Sequence, residues 1–173
     1  MKVSESGYTK DELLDIVDKY LAEQSRRWNF IEEKGDGMYV YDEEENEYLD
    51  FFGGIAVNST GNCNKKVAAA IADQCQNVIH ASNYAYTLPM ILLAKKICET
   101  IGMEKVLFQN SGTETNEAMI KMARKYGTDH YGPEHYHIVT AINSFHGRTY
   151  GALSATGQPD NACQIGFKPM LPG

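Results

Sequence analysis

The sequence has little positive charge and no long apolar run. Its 173 residues carry 16 Lys and Arg against 23 Asp and Glu, which gives a net charge of -7. An acidic chain without a Lys/Arg cluster repels phosphate backbones, so the composition argues against a nucleic-acid partner. The longest apolar run, residues 51–57, contains two glycines and is far shorter than the roughly 20 residues that cross a bilayer. We therefore expect no nucleic acid and no membrane among its partners.

Targeting and metal-binding patterns are also missing. Residues 1–17 lack the apolar core of a secretory signal and contain acids that transit peptides avoid. The four cysteines are widely spaced without a C-x-x-C pair, which argues against a zinc ribbon or a redox motif. Three histidines crowd into residues 129–137, but no Cys or carboxylate spacing supports a metal site there. We expect a soluble, cytoplasmic protein with no metal.

The first part of the chain predicts a helix, a hairpin and a loop. Thr9 and Glu12 form a capping-box pattern before apolar residues at helical spacing, which predicts a helix of about four turns. Residues 38–41 and 47–50 flank an acidic turn and predict a hairpin. Residues 51–64 are rich in Gly and Asn, which is typical of a loop.

From residue 65 the patterns become longer. Residues 65–79 and 88–101 predict core helices. A strand, a helix and a strand then follow, at residues 106–108, 111–126 and 137–142. This order is typical of a parallel sheet covered by helices, so the sequence predicts an α/β fold. Gly127 is expected to end the helix at residues 111–126.

The predicted helix at residues 111–126 has two different faces in the sequence. Its apolar residues recur at helical spacing and predict one buried stripe, while its charged residues are expected to face solvent. The stripe comprises Ala118, Met119, Met122, Ala123 and Tyr126. The expected outward residues are Glu117, Lys121 and Arg124.

The polar turn before this helix is the first candidate site. Ser111 can accept the Glu114 N–H while the Glu114 side chain reaches back, which fixes the start of the helix. Gly112 allows close approach, and Thr113 adds a second hydroxyl beside the free N–H groups. Such a helix N-terminus binds a phosphate or a carboxylate. The alternative is that the motif only caps the helix.

A second polar turn follows the next predicted strand. Residues 143–149 place Phe145, His146 and Arg148 at the carboxyl edge of the predicted sheet, where open α/β sheets bind ligands. An aromatic ring and a cation beside a phosphate cradle suit a flat phosphorylated cofactor and an anionic substrate. The alternatives are core packing for Phe145 and a surface ion pair for Arg148.

With these motifs the sequence resembles the class III aminotransferases, which belong to the pyridoxal 5′-phosphate fold type I superfamily. FQNSGTETNEAMIKMARKYG resembles their phosphate-binding segment, and SFHGRTYGALSATGQ resembles their next signature. GDGMYVYDEEENEYLDFFGGIAVNSTGN resembles their N-terminal segment, so the resemblance runs from about Trp28 to the last residue. Thr113, Asn116 and the string IAVN are most like the acetylornithine/ornithine branch.

The resemblance implies a cofactor, a reaction and roles for individual residues. Ser111, Gly112 and Thr113 would bind the phosphate of pyridoxal 5′-phosphate, and Phe145 would stack on its ring. Arg148 would bind the carboxylate of the substrate. The implied reaction passes an amino group from acetylornithine, or a similar omega-amino donor, to 2-oxoglutarate in arginine biosynthesis. Ornithine and 4-aminobutyrate are alternative donors.

The resemblance also implies that the chain is the N-terminal part of the fold type I architecture. Residues 1–63 would be a helix, hairpin and loop segment of the small domain, and residues 64–173 the first part of the large α/β/α domain. The Schiff-base lysine would lie beyond Gly173, so no catalytic residue is expected in the chain and we expect it to be inactive alone. Family members are homodimers. The alternative is a truncated binding module without catalytic activity.

A few positions depart from the family pattern or are left without a role. Residues 61–65, GNCNK, stand where the family has G-H-x-H-P, and Thr115 replaces a common Ala. We expect altered loop and helix contacts at these positions. Tyr84 and Tyr86 either face the substrate pocket or pack in a core, and His146 is expected to hold its turn.

Overall fold

The chain folds as seven helices and one small antiparallel sheet in the part that the structure describes. The computed structural model describes residues 2–23 and 27–173, which fall into two compact units, Met1–Thr87 and Leu88–Gly173. The predicted domain boundary between residues 63 and 64 stays a prediction. The elements of the first unit are α1 (Val3–Ser6), α2 (Lys10–Tyr20), β1 (Glu32–Asp36), β2 (Tyr39–Asp42), β3 (Glu47–Leu49), α3 (Gly53–Ala56) and α4 (Lys65–Asn77). Those of the second unit are α5 (Leu88–Ile101), α6 (Gly112–Tyr131) and α7 (Tyr150–Ala155).

The predicted capping box and hairpin of the first unit are confirmed. Thr9 Oγ1 accepts the Glu12 N–H at 3.3 Å, and a Glu12 carboxylate oxygen accepts the Thr9 N–H at 2.8 Å. β2 and β3 pair antiparallel across the acidic turn. Strand β1 pairs antiparallel with β2. It was not predicted, because its residues EEKGD show no alternation of apolar and polar side chains.

Asp42 organises the hairpin turn. It is 4% exposed, and its carboxylate accepts the N–H groups of Glu44 and Asn46, both at 2.9 Å. The Asn46 side chain and the Tyr48 hydroxyl donate to the second carboxylate oxygen, at 2.9 and 2.8 Å. Burial raises the pKa of Asp42, but these donors outweigh it and lower the pKa to about 2.

The loop after β3 contains a left-handed turn. All four residues of α3 have φ between 55° and 62°, although two of them are not glycine. A left-handed conformation costs about 1–2 kcal/mol for each non-glycine residue. Asp50 offsets part of this cost, because its carboxylate accepts the N–H groups of Phe52 at 3.0 Å and Gly53 at 2.7 Å.

Two asparagines occupy the positions that depart from the G-H-x-H-P pattern, and each has a local role. Asn62 is 8% exposed, donates to Asp50 at 2.9 Å and accepts from the Asn58 side chain at 2.7 Å. Asn64 is the N-cap of α4, and its side-chain oxygen accepts two N–H groups at 3.0 and 3.3 Å. The altered motif therefore fixes the loop and begins the helix by hydrogen bonds of its own.

In the second unit, the predicted end of α6 is wrong. The helix runs through Gly127 and ends at Tyr131; the C-cap residue Gly132 has a φ of 112°. A Cβ on Gly127 would overlap the carbonyl oxygen of His135. Glycine is needed at this position because a later segment passes close to the helix, and not because the helix stops there.

The predicted orientation of α6 is correct for Lys121, which is exposed, and wrong for most of the other residues named. Met119, Met122 and Tyr126 are each more than half exposed, whereas Glu117 and Arg124 are half-buried. Glu117 accepts hydrogen bonds from α7, and Arg124 donates to backbone carbonyl oxygens of residues 136 and 172, at 3.1 and 2.6 Å. The charged side chains turn inward because neighbouring segments present unpaired backbone groups to that face. The buried apolar residues of this unit lie in α7: Ala152, Leu153 and Ala155.

The predicted parallel strands at residues 106–108 and 137–142 are not formed in the described part of the chain. Its sheet consists of β1, β2 and β3. An extended segment becomes a strand only when a neighbour completes its hydrogen-bonded ladder. These two segments lack such a ladder here, and Val139 is 96% exposed.

The helices α4 and α5 present apolar side chains at their surfaces. No residue of either helix is classed as buried. Exposed residues include Val67 and Ile71 on α4 and Leu88, Leu92 and Ile101 on α5. None of the helices in residues 2–23 and 27–173 has the length and apolar character needed to cross a membrane.

Candidate functional site

The N-terminus of α6 presents two backbone N–H groups that the helix itself does not use. Ser111 caps the helix by accepting the Glu114 N–H at 3.3 Å, as predicted. The first intrahelical bond joins the Thr115 N–H to the Ser111 carbonyl oxygen at 3.0 Å. The N–H groups of Gly112 and Thr113 come before this bond along the chain and therefore have no carbonyl partner within the helix. A Cβ on Gly112 would meet no atom within 4 Å, so open space adjoins these donors.

The hydroxyl groups beside this cradle are engaged with protein groups. The Ser111 hydroxyl donates to the Glu114 carboxylate at 3.0 Å, so Glu114 reaches back to the side chain of the cap. Hydrogen bonds from Asn110 and Ser111 lower the pKa of Glu114. Thr113 Oγ1 lies 2.9 Å from Thr149 Oγ1 in the second turn. The backbone N–H groups are thus the donors that remain for an anion.

The second predicted turn lies directly against the first two turns of α6. The Asn116 side chain donates to the His146 carbonyl oxygen at 2.8 Å. The Glu117 carboxylate accepts the Thr149 hydroxyl and, at 3.1 Å, the Ala152 N–H. The Thr149 N–H adds a longer bond to Thr113 Oγ1, at 3.4 Å. These contacts join the two turns that the sequence analysis selected as candidate sites.

Two buried polar residues support the second turn from its other side. Thr156 is 3% exposed, and its hydroxyl accepts the His146 N–H at 3.1 Å and lies 3.2 Å from the Gly147 carbonyl oxygen. Gln164 is 6% exposed and donates to the carbonyl oxygens of Leu153 at 2.8 Å and Thr156 at 2.5 Å. His146 is held mainly through its backbone, consistent with its expected role in the turn.

Phe145 and Arg148 project from this turn as exposed side chains. Phe145 is 57% exposed and therefore does not pack in a core, which was the alternative for this residue. The Arg148 guanidinium carbon lies 6.0 Å from the centre of the Phe145 ring, at the limit of a cation–π contact. A ring face and a guanidinium therefore stand together beside the cradle.

Several residues of the site were missed by the sequence analysis. Asn116 and Glu117 follow Thr113 by about one helical turn and therefore share its face, which was a usable signal. Thr156 and Gln164 carry no comparable signal because their partners are backbone carbonyl oxygens. The site as observed comprises Ser111, Gly112, Thr113, Asn116, Glu117, Phe145, Arg148, Thr149, Thr156 and Gln164.

Other predicted or considered features lie away from these contacts. A cleft of about 130 Å³ between α6 and α7 is lined on one side by Glu117 and Arg124 and does not include Phe145 or Arg148. In the histidine-rich segment, the His130 ring stacks on the ring of Tyr126, with 4.1 Å between the ring centres. No group of three or more potential metal ligands occurs among the described residues.

Solved structures share this fold over nearly the whole chain. The ornithine aminotransferase from Toxoplasma gondii ME49 superposes with a TM-score of 0.87 at 26% identity, covering 98% of this chain and 40% of that one. An aminotransferase from Bacillus anthracis gives a TM-score of 0.86 at 29% identity, covering 99% and 38%. The fold is that of the N-terminal part of the pyridoxal-phosphate-dependent aminotransferases, which confirms the predicted α/β fold class.

Sequence comparison identifies the family within this class. Residues 20–173 match the family described as Aminotransferase class-III, and the chain belongs to that family. The acetylornithine aminotransferase of Caldanaerobacter subterraneus subsp. tengcongensis is 48% identical over 155 residues, which are 90% of this chain and 39% of the relative. That of Methanocaldococcus jannaschii is 43% identical over 165 residues, 95% of this chain and 41% of the relative. The chain thus spans about two fifths of the length of these curated relatives.

Proposed function

We propose that this chain is the N-terminal part of an aminotransferase that binds pyridoxal 5′-phosphate at the start of α6. The observation that carries the proposal is the pair of N–H groups at Gly112 and Thr113, unused by the helix and open to the space at Gly112. A helix N-terminus favours a phosphate dianion by its partial positive charge and by its free donors.

The residues around the cradle fit the rest of the cofactor. Ser111 fixes the helix start, and Phe145 offers an exposed ring face on which a pyridine ring can stack. When bound, the cofactor supplies the electron-withdrawing ring that amino-group transfer requires. The chain's own part is to hold the phosphate, orient the ring and present Arg148 beside it.

Arg148 is the proposed binding group for the substrate carboxylate. Its guanidinium is exposed beside Phe145, and a planar fork of donors binds a carboxylate through two hydrogen bonds. The names of the 43% and 48% identical relatives favour acetylornithine as the amino donor. We propose 2-oxoglutarate as the acceptor, in arginine biosynthesis. Ornithine, named for the Toxoplasma gondii structure, is the second candidate donor.

No lysine of this chain is assigned a catalytic role in the proposal. Lys121 and Lys125 on α6 are exposed, and Lys125 pairs with Asp129 at 2.6 Å. We propose that the amino-transfer activity belongs to the longer enzyme, as a homodimer, and that residues 1–173 alone are inactive. The exposed apolar side chains of α4 and α5 support burial of these helices in such an assembly.

A binding comparison tests this function. The 173-residue chain is titrated with pyridoxal 5′-phosphate and with pyridoxal, then reduced with borohydride and weighed intact. We expect binding that is weak but at least about tenfold tighter for the phosphorylated form, without a lysine adduct. Equal binding of the two compounds would contradict the phosphate cradle. A stoichiometric adduct on one lysine would contradict the assignment of the catalytic lysine to a later part of the enzyme.

A further inference from the structure

Glu117 connects the two halves of the site. Although its position on α6 predicted a solvent-facing side chain, it is half-buried against α7. One carboxylate oxygen accepts both the Thr149 hydroxyl and the Ala152 N–H, the latter at 3.1 Å. A Cβ on Gly151 would overlap the carboxylate, so α7 packs directly on this side chain.

The hydrogen bonds around Thr149 have one consistent direction. Its hydroxyl carries one proton, which is donated to Glu117. In the 2.9 Å contact between Thr149 and Thr113, the donor must therefore be Thr113. The relay runs from Thr113 through Thr149 to Glu117, and it joins the phosphate cradle to the carboxylate.

The ionised carboxylate is the form that accepts both hydrogen bonds. The hydrogen bond from Thr149 lowers the pKa of Glu117, burial opposes this, and the Ala152 and Gly151 N–H groups lower it further. Glu117 is thus charged at neutral pH and ends the relay as an acceptor.

We propose that Glu117 is a positioning residue of the cofactor site. It holds Thr149 and α7 against α6 and, through Thr149, orients Thr113. The turn that carries Phe145 and Arg148 thereby keeps a fixed position relative to the N–H groups of the cradle. The proposed consequence for cofactor binding rests on the function proposed above, whereas the consequence for the order of α7 does not.

Substitutions in the natural full-length protein test this role. Glu117→Ala removes the acceptor, whereas Glu117→Gln keeps an oxygen that can accept both hydrogen bonds. Thr149→Val removes the hydroxyl with little change of shape. Asp129→Ala, which removes another α6 carboxylate about three turns away, is the matched control.

The first readout is the preference for pyridoxal 5′-phosphate over pyridoxal, taken as the ratio of their dissociation constants. We expect Glu117→Ala and Thr149→Val each to reduce this ratio about tenfold. Glu117→Gln should stay within about threefold of wild type. The double variant of Glu117→Ala and Thr149→Val should reduce this ratio no more than either single variant does, because both substitutions interrupt the same series of hydrogen bonds. A general loss of structure would weaken both ligands together and leave the ratio unchanged.

The second readout is amide hydrogen exchange without ligand. Exchange at Ala152 and Thr149 should become about tenfold faster in Glu117→Ala and remain near wild type in Asp129→Ala. The proposal would be overturned if Glu117→Ala kept both the wild-type exchange rates and the wild-type ratio of dissociation constants. It would also be overturned if Asp129→Ala changed these quantities as much as Glu117→Ala does. If the wild-type protein shows no phosphate preference, the proposed function fails, and exchange at Ala152 alone then decides whether Glu117 positions α7.

Discussion

Gly147 lies so close to Thr113 that a Cβ on Gly147 would fall 2.6 Å from the Thr113 Cβ. It would also lie 3.0 Å from the Ala152 Cβ, and the φ of Gly147 is 135°. The backbone of the second turn therefore touches the N-terminus of α6 at a point where only glycine fits. This contact sets the distance between the two parts of the site.

Substituting this glycine should separate the two turns. We expect Gly147→Ala to lower the free energy of unfolding by about 2 kcal/mol, from steric overlap and an unfavourable backbone conformation. Chemical denaturation measures the change. A variant as stable as wild type would show that Thr113 and the turn do not pack as described.

Gly112→Ala is the matched control, because its added methyl would meet no protein atom within 4 Å. The free energy of unfolding should change by no more than about 0.5 kcal/mol. Affinity for pyridoxal 5′-phosphate should nevertheless fall, since the methyl group occupies the space beside the free N–H groups. An unchanged affinity would place the phosphate elsewhere.

Arg148→Ala should separate substrate use from cofactor binding in the longer enzyme proposed above. We expect kcat/KM for acetylornithine or 2-oxoglutarate to fall about 100-fold, while the dissociation constant of the cofactor changes less than about threefold. Arg148→Lys should recover only part of the loss, because lysine keeps the charge but lacks the planar fork. Steady-state kinetics and a cofactor titration measure the two quantities. Equal losses in both would contradict the assigned role.

Asn64→Ala should destabilise the start of α4. Its side-chain oxygen caps two N–H groups, and removing such a cap costs about 1 kcal/mol. Asn64→Asp keeps an acceptor and should remain close to wild type. The difference in the free energy of unfolding is obtained from the denaturant midpoints, with the dependence of that free energy on denaturant concentration held constant. Asn77→Ala near the other end of the helix is the control and should cost less, because among the described residues that side chain bonds only to the Asp73 carbonyl oxygen.

Asp42 should make stability depend on acid pH. Its pKa is lowered from 3.8 to about 2 in the folded chain, so the folded state favours the ionised carboxylate. This stabilisation is complete above the unfolded pKa and is lost as the pH falls toward about 2. Subtracting the unfolding free energy of Asp42→Asn from that of wild type should give a difference that shrinks over this interval. A difference independent of pH would show that the carboxylate is not preferentially ionised in the folded state.

Local patterns predicted the elements whose stability depends on neighbouring residues in the sequence. The capping box at Thr9, the hairpin around Asp42 and the cap at Ser111 each involve residues within a few positions of one another. The bounds of α5 were likewise predicted, because the apolar residues that indicate it recur within the helix itself. Phosphate binding at the start of α6 stays a prediction.

Contacts between distant segments explain the errors. Gly127 was expected to end α6, but its role is to admit the His135 backbone, which no local pattern indicates. Glu117 was assigned to solvent by its charge, whereas donors on α7 attract it inward. The strands at residues 106–108 and 137–142 depend on pairing partners that local periodicity does not provide.

The contacts between the two turns join residues only 30 to 36 positions apart. Closing a loop of this length costs little more entropy than closing one half as long, because the cost grows with the logarithm of length. A nascent chain can therefore bring the cradle and the second turn together soon after Gln164 leaves the ribosome. Pairing of the two turns can therefore begin during translation, because the residues that form and support it lie between Ser111 and Gln164.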